Sequence, residues 1–130
     1  MGLRIGHGFD VHQLKEGETL ILGGVTIPHS QGLKGHSDAD VVLHAVCDAC
    51  LGALNLGDIG WQFPPGDPQY KDIDSTELLK TTQRMLAEQG YGLNNLDVTV
   101  CLQAPKLQSY IASMRTAIAD CLQADPGRIS

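Results

Sequence analysis

The segment Asp38–Leu54 constrains the fold of this chain more than any other part of the sequence. Its apolar residues recur with helical spacing, and Asp38 stands where an N-cap is expected. Its polar residues Asp40, His44 and Asp48 are spaced i, i+4 and i+8, so they form one stripe. Such a stripe is usually a solvent face, but this helix contains neither Lys nor Glu. We therefore interpret the stripe as part of a site.

The rest of the chain divides into short predicted elements. Periodicity, glycines and prolines predict a strand over Leu3–His12 and a bent strand or hairpin arm over Thr19–Ile27, with a bulge or tight bend at Gly23-Gly24. Loops are predicted on either side of the Asp38–Leu54 helix, over Pro28–Gly35 and Gly57–Lys71. A helix from Asp74 to about Gln89, a strand over Leu96–Leu102, a helix over Ile111–Leu122 and the start of a strand at Arg128–Ser130 follow in that order. This order is typical of an α+β fold with a mixed β-sheet and helices on one face, in two layers. No repeat or linker interrupts residues 1–130, so we expect one domain.

Asp10 and His12 are candidate metal ligands. Alternate side chains of a strand point to the same face, so these two would project together while Phe9 and Val11 face the other way. A D-x-H pair alone is a weak signal, since it also occurs at solvated strand ends. His44 from the predicted helix adds a third ligand, and three such ligands suit zinc with an open fourth position. The residues therefore predict a divalent-metal site that can bind a phosphate oxygen.

Further polar residues are candidates for contacts with a ligand. His36 and Ser37 precede a helix N-terminus, where free backbone N–H groups favour an anion. Asp58 and Asp67 lie in the polar loop after the predicted helix that carries His44. They could accept hydrogen bonds from sugar hydroxyls, although an Asp at either position is more often a turn residue than a ligand contact. Lys106 could contact a phosphate or a base, or its ammonium group could simply be solvated.

Charge and composition exclude some functions. The chain carries 9 Lys+Arg against 15 Asp+Glu, a formal net charge of -6, without a basic cluster, so nucleic acid is not an expected partner. No apolar run approaches the ~20 residues of a membrane span, and the N-terminus does not resemble a signal peptide. We expect a soluble protein of a bacterial cytoplasm or a plastid stroma.

The cysteines and the first histidine are predicted to be structural. Cys47 and Cys50 form a CxxC inside the predicted helix, which is unlike a redox motif at a helix N-terminus. Cys101 is expected in the core. His7 faces opposite Asp10 by strand parity and is expected to be buried.

Taken together, the motifs resemble the 2-C-methyl-D-erythritol 2,4-cyclodiphosphate synthase family. The order and spacing match over essentially the whole chain. The matching runs are Gly6-His7-Gly8-Phe9-Asp10-Val11-His12, His36-Ser37-Asp38-Ala39-Asp40 with His44, Gly57-Asp58-Ile59-Gly60, Phe63-Pro64 with Asp67-Pro68, and Gln103-Ala104-Pro105-Lys106.

The resemblance implies an enzyme that cyclises 4-diphosphocytidyl-2-C-methyl-D-erythritol 2-phosphate and releases CMP. It implies zinc on the β-phosphate, held by Asp10, His12 and His44. It implies catalytic phosphate contacts for His36 and Ser37, and ribose and substrate contacts for Asp58 and Gly60. It implies a polyol contact for Asp67 and a position near the site for Asp48. The cytosine pocket would be formed by Ala104, Lys106 and Leu107, with Lys106 near the diphosphate.

The resemblance also implies a homotrimer built around the sheets, with each active site between subunits. Many members have Asp where this chain has Pro65, which removes one polyol contact. Members continue with a strand bearing Thr-Thr and a Glu that binds a second metal, Mg²⁺ or Mn²⁺, whose ligand has no match here. We therefore expect residues 1–130 to lack the C-terminal strand and last helix, and to be inactive or poorly folded alone.

Two other functions remain open from the residues. In a metal-dependent phosphoesterase, zinc would activate water instead of the substrate's own phosphate. The other possible function is that of a non-catalytic trimeric protein that binds a metal or another ligand. Release of free phosphate would indicate the phosphoesterase, whereas CDP binding without turnover would indicate the non-catalytic protein.

Overall fold

Three helices packed side by side form the centre of the computed structural model, which describes residues 2–130. Helix α1 spans Val41–Ala53, α3 spans Ser75–Glu88 and α4 spans Ile111–Leu122, while the short α2 covers Ile59–Gln62. Helix α3 contacts both α1 and α4. The three long helices confirm the predicted ones to within a few residues, because each carries a continuous apolar face.

Local capping explains where two of the helices start and stop. The α1 N-cap is Asp40, whose side chain accepts a 3.0 Å hydrogen bond from Leu43 N, so the prediction of Asp38 as N-cap is wrong. Asp74 caps α3 as predicted, through a 2.9 Å bond from Thr76 N. Gly90, which follows α3, has φ +80°. A left-handed residue after the last turn is the usual way in which a helix ends.

The strands are short and form two antiparallel pairs. Strand β1 (Leu14–Glu16) pairs with β4 (Gln31–Leu33), and β2 (Leu20–Leu22) pairs with β3 (Val25–Ile27). The turn between β2 and β3 has φ +59° at Gly23 and +78° at Gly24. Two successive positive φ values match the twist of a two-residue hairpin, so the tight bend predicted at Gly23-Gly24 is confirmed. The segment predicted as one bent strand or hairpin arm contains both strands of the hairpin. The predicted loop over residues 28–35 is wrong in part, since it contains β4.

A mixed sheet with helices on one face does not occur in the part of the chain that the structure describes. Residues 3–12 and 97–102, both predicted as strands, are not strands, although positions 8, 10 and 12 and positions 98, 100 and 102 are half-buried. A strand requires a neighbouring backbone ladder. Residues 3–12 lie along helix α1, and Leu96 makes only an isolated parallel bridge with Ile129. The α+β class holds, but the sheet content consists of the two small antiparallel pairs.

The remaining loops contain single helical turns. The predicted loop over residues 57–71 includes α2 and a 3-10 turn, Pro68–Tyr70, and two further 3-10 turns cover Gln108–Tyr110 and Pro126–Arg128. The core joins the β2–β3 hairpin to the three long helices through fully buried side chains, among them Leu20, Leu22, Ile27, Leu43, Leu79 and Ile118. None of the helices described is both long and apolar enough for a membrane span.

Candidate active site

Asp10, His12 and His44 come together as a cluster of three potential metal ligands. Asp10 Oδ2 lies 3.2 Å from Nδ1 of His12 and 3.2 Å from Nδ1 of His44. One ligand atom from each residue lies within 4.8 Å of the others. The side chains are only 24%, 18% and 12% exposed for Asp10, His12 and His44 respectively. The juxtaposition that the spacing predicted is therefore present.

Close contact between the N-terminal segment and helix α1 creates this cluster. A Cβ atom placed on Gly8 would lie 1.9 Å from the carbonyl oxygen of Ala45, and one on Gly6 would lie 1.8 Å from that of Ala49. Only glycine permits so close an approach of two backbones. The approach brings Asp10 and His12 over the turn of α1 that carries His44, while the intervening Val11 faces outward and is 76% exposed.

Two atoms of the cluster are buried without a hydrogen-bond partner, namely Asp10 Oδ2 and His12 Nδ1. The other Asp10 oxygen, Oδ1, accepts a 2.9 Å hydrogen bond from Val11 N, which leaves Oδ2 free. Buried polar groups are normally satisfied, so an orphaned pair that converges on one point needs an explanation. A divalent cation satisfies both at once. One carboxylate and two imidazoles suit zinc and related borderline metals.

The second ring nitrogen of His44 faces two hydroxyl groups. His44 Nε2 lies 3.0 Å from Ser37 Oγ and 2.9 Å from Ser75 Oγ. Ser75 is fully buried at the start of α3, and its backbone N–H donates a 2.8 Å hydrogen bond to Asp38 Oδ2. Sequence reasoning missed Ser75. The only signal was its place in the predicted α3 N-terminus, which does not reveal that α3 starts beside His44.

Asp40 is not part of a polar stripe with His44 and Asp48. Its carboxylate is fully buried and accepts hydrogen bonds of 2.9 Å from Gly23 N and 2.7 Å from Gly24 N, in addition to the α1 cap. Burial raises the pKa of Asp40 to about 6, against the opposing effect of these three N–H donors. As the N-cap, Asp40 lies outside the helix, so the i, i+4 rule does not apply to it.

His36 and Ser37 lie in a loop that is hydrogen-bonded to the segment before α3. The carbonyl of His36 accepts a 2.8 Å bond from Asp72 N, and Asp38 N donates to the carbonyl of Ile73 at 3.1 Å. The His36 side chain is exposed, whereas Ser37 is half-buried against His44. Of the two, only Ser37 is therefore in hydrogen-bond contact with the cluster of candidate ligands, through His44.

Asp48 connects helix α1 to the segment that carries Asp58 and Gly60. Asp48 Oδ1 accepts a 2.8 Å hydrogen bond from Ile59 N. Partial burial raises the pKa of Asp48, the bond from Ile59 opposes this, and the negative charges of Asp58 and Asp10 raise it further. Asp58 is the exposed N-cap of α2 and accepts a 2.8 Å bond from Trp61 N, and Gly60 lies within α2.

The other predicted substrate residues lie at the surface or in separate loops. Asp67 caps the turn Pro68–Tyr70, and hydrogen bonds from the side chain and backbone of Gln69 lower its pKa. Ala104 and Lys106 are exposed and Leu107 is half-buried. Among residues 2–130, no hydrogen bond joins residues 104–107 to Asp10, His12 or His44.

Two predictions about burial are wrong, and one is confirmed. His7 is exposed, because the outward face of the N-terminal segment has no cover in this chain. Cys101 is also exposed, since it occupies an outward position of an alternating segment. Cys47 and Cys50 are buried and unpaired, as expected, and burial raises their pKa values to about 12 and about 11.

Comparison with known proteins places this geometry in a family. The model of the YgbB family matches residues 3–130. The chain belongs to the YgbB family.

Relatives in this family share both sequence and fold with the chain. The 2-C-methyl-D-erythritol 2,4-cyclodiphosphate synthase of Desulfatibacillum aliphaticivorans is 58% identical over 120 residues, which are 92% of this chain and 77% of that protein. A solved cyclodiphosphate synthase in its CDP-bound form has a TM-score of 0.87 at 34% identity, with 98% of this chain and 85% of that chain covered. The bifunctional IspDF of Campylobacter jejuni has a TM-score of 0.92 at 44% identity, with 98% of this chain covered. This chain spans 34% of that bifunctional chain.

Proposed function

We propose that the protein containing this chain is a phosphorus–oxygen lyase, a 2-C-methyl-D-erythritol 2,4-cyclodiphosphate synthase. It would convert 4-diphosphocytidyl-2-C-methyl-D-erythritol 2-phosphate into the cyclic diphosphate with release of CMP. The observation that carries the proposal is the cluster of Asp10, His12 and His44 with its two orphaned buried atoms. The names of the relatives give the product of the reaction, and the resemblance of the motifs implies the substrate and the release of CMP.

The metal is proposed to be zinc, or another divalent cation, held by Asp10 Oδ2 and by Nδ1 of His12 and His44. When bound, the ion supplies Lewis-acid polarisation of a phosphate oxygen. A buried, weakly solvated pocket strengthens this attraction relative to water. The protein as a whole carries a net charge of -6, so a local cation also offsets the repulsion of a phosphorylated substrate.

The protein residues are proposed to position the substrate and to stabilise charge. The 2-phosphate oxygen of the substrate is itself the nucleophile, so the chain need not provide one. Ser37 lies next to His44 and, with His36, would donate hydrogen bonds to the phosphates. Asp58 and Gly60 would contact the ribose and substrate, Asp67 the polyol, and Asp48 would hold the α2 loop near the metal. Pro65 offers no hydrogen-bonding side chain to the polyol.

The assembly is proposed to be a homotrimer with active sites between subunits. Two observations support this proposal. The outward face of the N-terminal segment exposes four large apolar side chains, at 82%, 92%, 78% and 76%, which are Leu3, Ile5, Phe9 and Val11. An apolar face of this kind, interrupted here by His7, is typical of a protein interface. In addition, residues 104–107 make no hydrogen bond to the cluster of their own chain, which fits a cytosine pocket formed by Ala104, Lys106 and Leu107 beside a neighbour's metal.

Residues 1–130 are proposed to form one catalytic domain, in a bacterial cytoplasm or plastid stroma. The second metal of the reaction, Mg²⁺ or Mn²⁺, has no matching ligand in this chain. A small-molecule nucleotide diphosphate is the proposed substrate, in keeping with the CDP-bound relative.

Product analysis tests the proposal. The whole protein that contains this chain is incubated with the substrate and with zinc and magnesium, and the products are followed by ³¹P NMR and mass spectrometry. Cyclic diphosphate and CMP in equal amounts are expected. Free phosphate would contradict the lyase and indicate the phosphoesterase. CDP binding without turnover would indicate a non-catalytic protein.

A further inference from the structure

The two ring nitrogens of His44 face groups of different character. Nδ1 points to the proposed metal position and lies 3.2 Å from Asp10 Oδ2. Nε2 lies on the opposite side of the ring, 2.9 Å from Ser75 Oγ. A neutral imidazole carries one proton, and only the unprotonated nitrogen can bind a metal. The group that decides where this proton sits therefore decides whether His44 is a ligand.

The hydroxyl of Ser75 has its single hydrogen engaged elsewhere. Ser75 Oγ donates to Asp38 Oδ1 in a short hydrogen bond, and the backbone N–H of Ser75 donates to Asp38 Oδ2 at 2.8 Å. Asp38 is thus held by two bonds from one residue, and a third, from Asp40 N at 3.0 Å, fixes its orientation. With its hydrogen committed to a carboxylate, Ser75 Oγ can only accept from His44 Nε2.

We propose that Ser75 and Asp38 are positioning residues that hold His44 in the tautomer protonated at Nε2. The proton at Nε2 donates to Ser75 Oγ, and the lone pair of Nδ1 is presented to the metal. This inference rests on the proposed metal site. It assigns to α3, which contributes no metal ligand, the orientation of one of the three ligands.

The opposite tautomer is unfavourable at Nε2 and incompatible with metal binding at Nδ1. At Nε2 it would set the lone pairs of Nε2 and Ser75 Oγ against each other at 2.9 Å. At Nδ1 it would donate a proton to Asp10 Oδ2, a contact that occupies both ligand atoms and must be broken before a metal binds. Ser75 is fully buried, so water does not replace it readily.

Ser37 does not make this selection. Its hydroxyl lies 3.0 Å from His44 Nε2 and accepts a 3.2 Å hydrogen bond from Ala39 N, which leaves its own hydrogen free. A hydroxyl with a free hydrogen can donate to Nε2 as readily as it can accept from it. Ser37 is compatible with both tautomers, so only the pair of Ser75 and Asp38 distinguishes them.

The first test is ¹⁵N NMR of the histidine rings in the metal-free protein, with His44 assigned from His44→Ala. The wild type is expected to show His44 protonated at Nε2. In Ser75→Ala a substantial share of the signal is expected to shift to the form protonated at Nδ1. Thr76→Val removes the neighbouring hydroxyl, which bonds only to Asp74, and is expected to leave the His44 signals unchanged.

The second test is zinc affinity, measured by competition with a chelating dye. Loss of a hydrogen bond to a metal-binding histidine typically weakens binding 10- to 100-fold. We expect a loss of that order for Ser75→Ala and a change of less than about threefold for Thr76→Val.

Distinct results would overturn this inference and the proposed site. Protonation at Nδ1 in the metal-free wild type, or wild-type zinc affinity in Ser75→Ala, would overturn the inference alone. Undiminished zinc binding by His44→Ala would overturn the metal site itself. If circular dichroism shows that Ser75→Ala has not folded, the wild-type tautomer decides.

Discussion

Asp10 Oδ2 lies 3.2 Å from His44 Nδ1, although Asp10 belongs to an extended segment and His44 to helix α1. A buried carboxylate oxygen without a hydrogen-bond donor is costly unless a cation or proton joins it. A divalent cation held between Asp10 Oδ2 and His44 Nδ1 would remove this cost.

Replacement of His44 tests this relationship directly. His44→Ala removes one of three ligands and is expected to lower zinc affinity by at least about 10-fold. Metal analysis of the purified protein is the measurement. His29→Ala, which changes an exposed loop histidine, is the matched control and is expected to retain the metal. Equal zinc content in the two variants would contradict the site.

The approach of the N-terminal segment to α1 predicts an unusually sensitive glycine. In Gly8→Ala the new methyl group would lie 1.9 Å from the carbonyl oxygen of Ala45, so the segment must move away and carry Asp10 with it. We expect a loss of about 1–3 kcal/mol in the free energy of unfolding and a clear loss of zinc affinity. Denaturant titration and dye competition measure the two. Gly92→Ala, where a Cβ meets no atom within 4 Å, is the control. Equal losses of stability and zinc affinity in the two variants would contradict the proposed steric effect of Gly8→Ala.

Asp40 predicts a pH-dependent contribution to stability. Its pKa is about 6 in the fold against 3.8 in the unfolded chain, so the folded state binds more protons between these values. Stability from this residue is therefore highest below pH ~4 and falls as the pH rises to ~6, by up to about 3 kcal/mol. Above that range the contribution is constant.

Asp40→Asn isolates this contribution. The amide group leaves at least one of the N–H groups of Gly23 and Gly24 without an acceptor, at a cost of about 1–3 kcal/mol. The wild type should lose stability relative to the variant as the pH rises from 4 to 6, so the gap between the two free energies of unfolding narrows. A gap that widens over this range would contradict the raised pKa.

The apolar outward face of the N-terminal segment predicts a mutation that separates subunits. Ile5 is 92% exposed, so Ile5→Lys is expected to leave the fold of each subunit unchanged while it places a charge in the proposed interface. Size-exclusion chromatography with light scattering should show a trimer for the wild type and smaller species for the variant. Ser113→Lys, on the exposed side of α4, should stay trimeric. A wild-type monomer at micromolar concentration would refute the assembly.

The cysteines should differ sharply in reactivity. The thiolate is the reactive form, and burial raises the pKa values of Cys47 and Cys50 to about 12 and about 11. Brief alkylation of the native protein at pH 8, followed by peptide mass spectrometry, is expected to leave both unmodified. The same treatment in denaturant should label them fully. Rapid native labelling of Cys47 would show that α1 opens more readily than its packing indicates.

Local sequence signals predicted the helices and the tight bend at Gly23-Gly24. The apolar periodicity of α1, α3 and α4 and the pair Gly23-Gly24 depend on neighbouring residues alone, so their structure could be read without tertiary information. The strands predicted over 3–12 and 97–102 failed for a different reason. Alternation of side chains defines an extended segment, but hydrogen bonding to a partner defines a strand, and partners are not encoded locally.

The sequence by itself identified Asp10, His12 and His44 as a candidate set of metal ligands, because parity along an extended segment and position on a helix limit which side chains can converge. Only the tertiary structure decided how Asp38, Asp40 and Ser75 are used. Each looked like a helix cap or a stripe residue, yet Asp40 closes the β2–β3 turn against α1, and Asp38 and Ser75 join α3 to His44. These roles depend on contacts between segments far apart in the chain. Such contacts follow from the packing of α1 against α3, which no local pattern specifies.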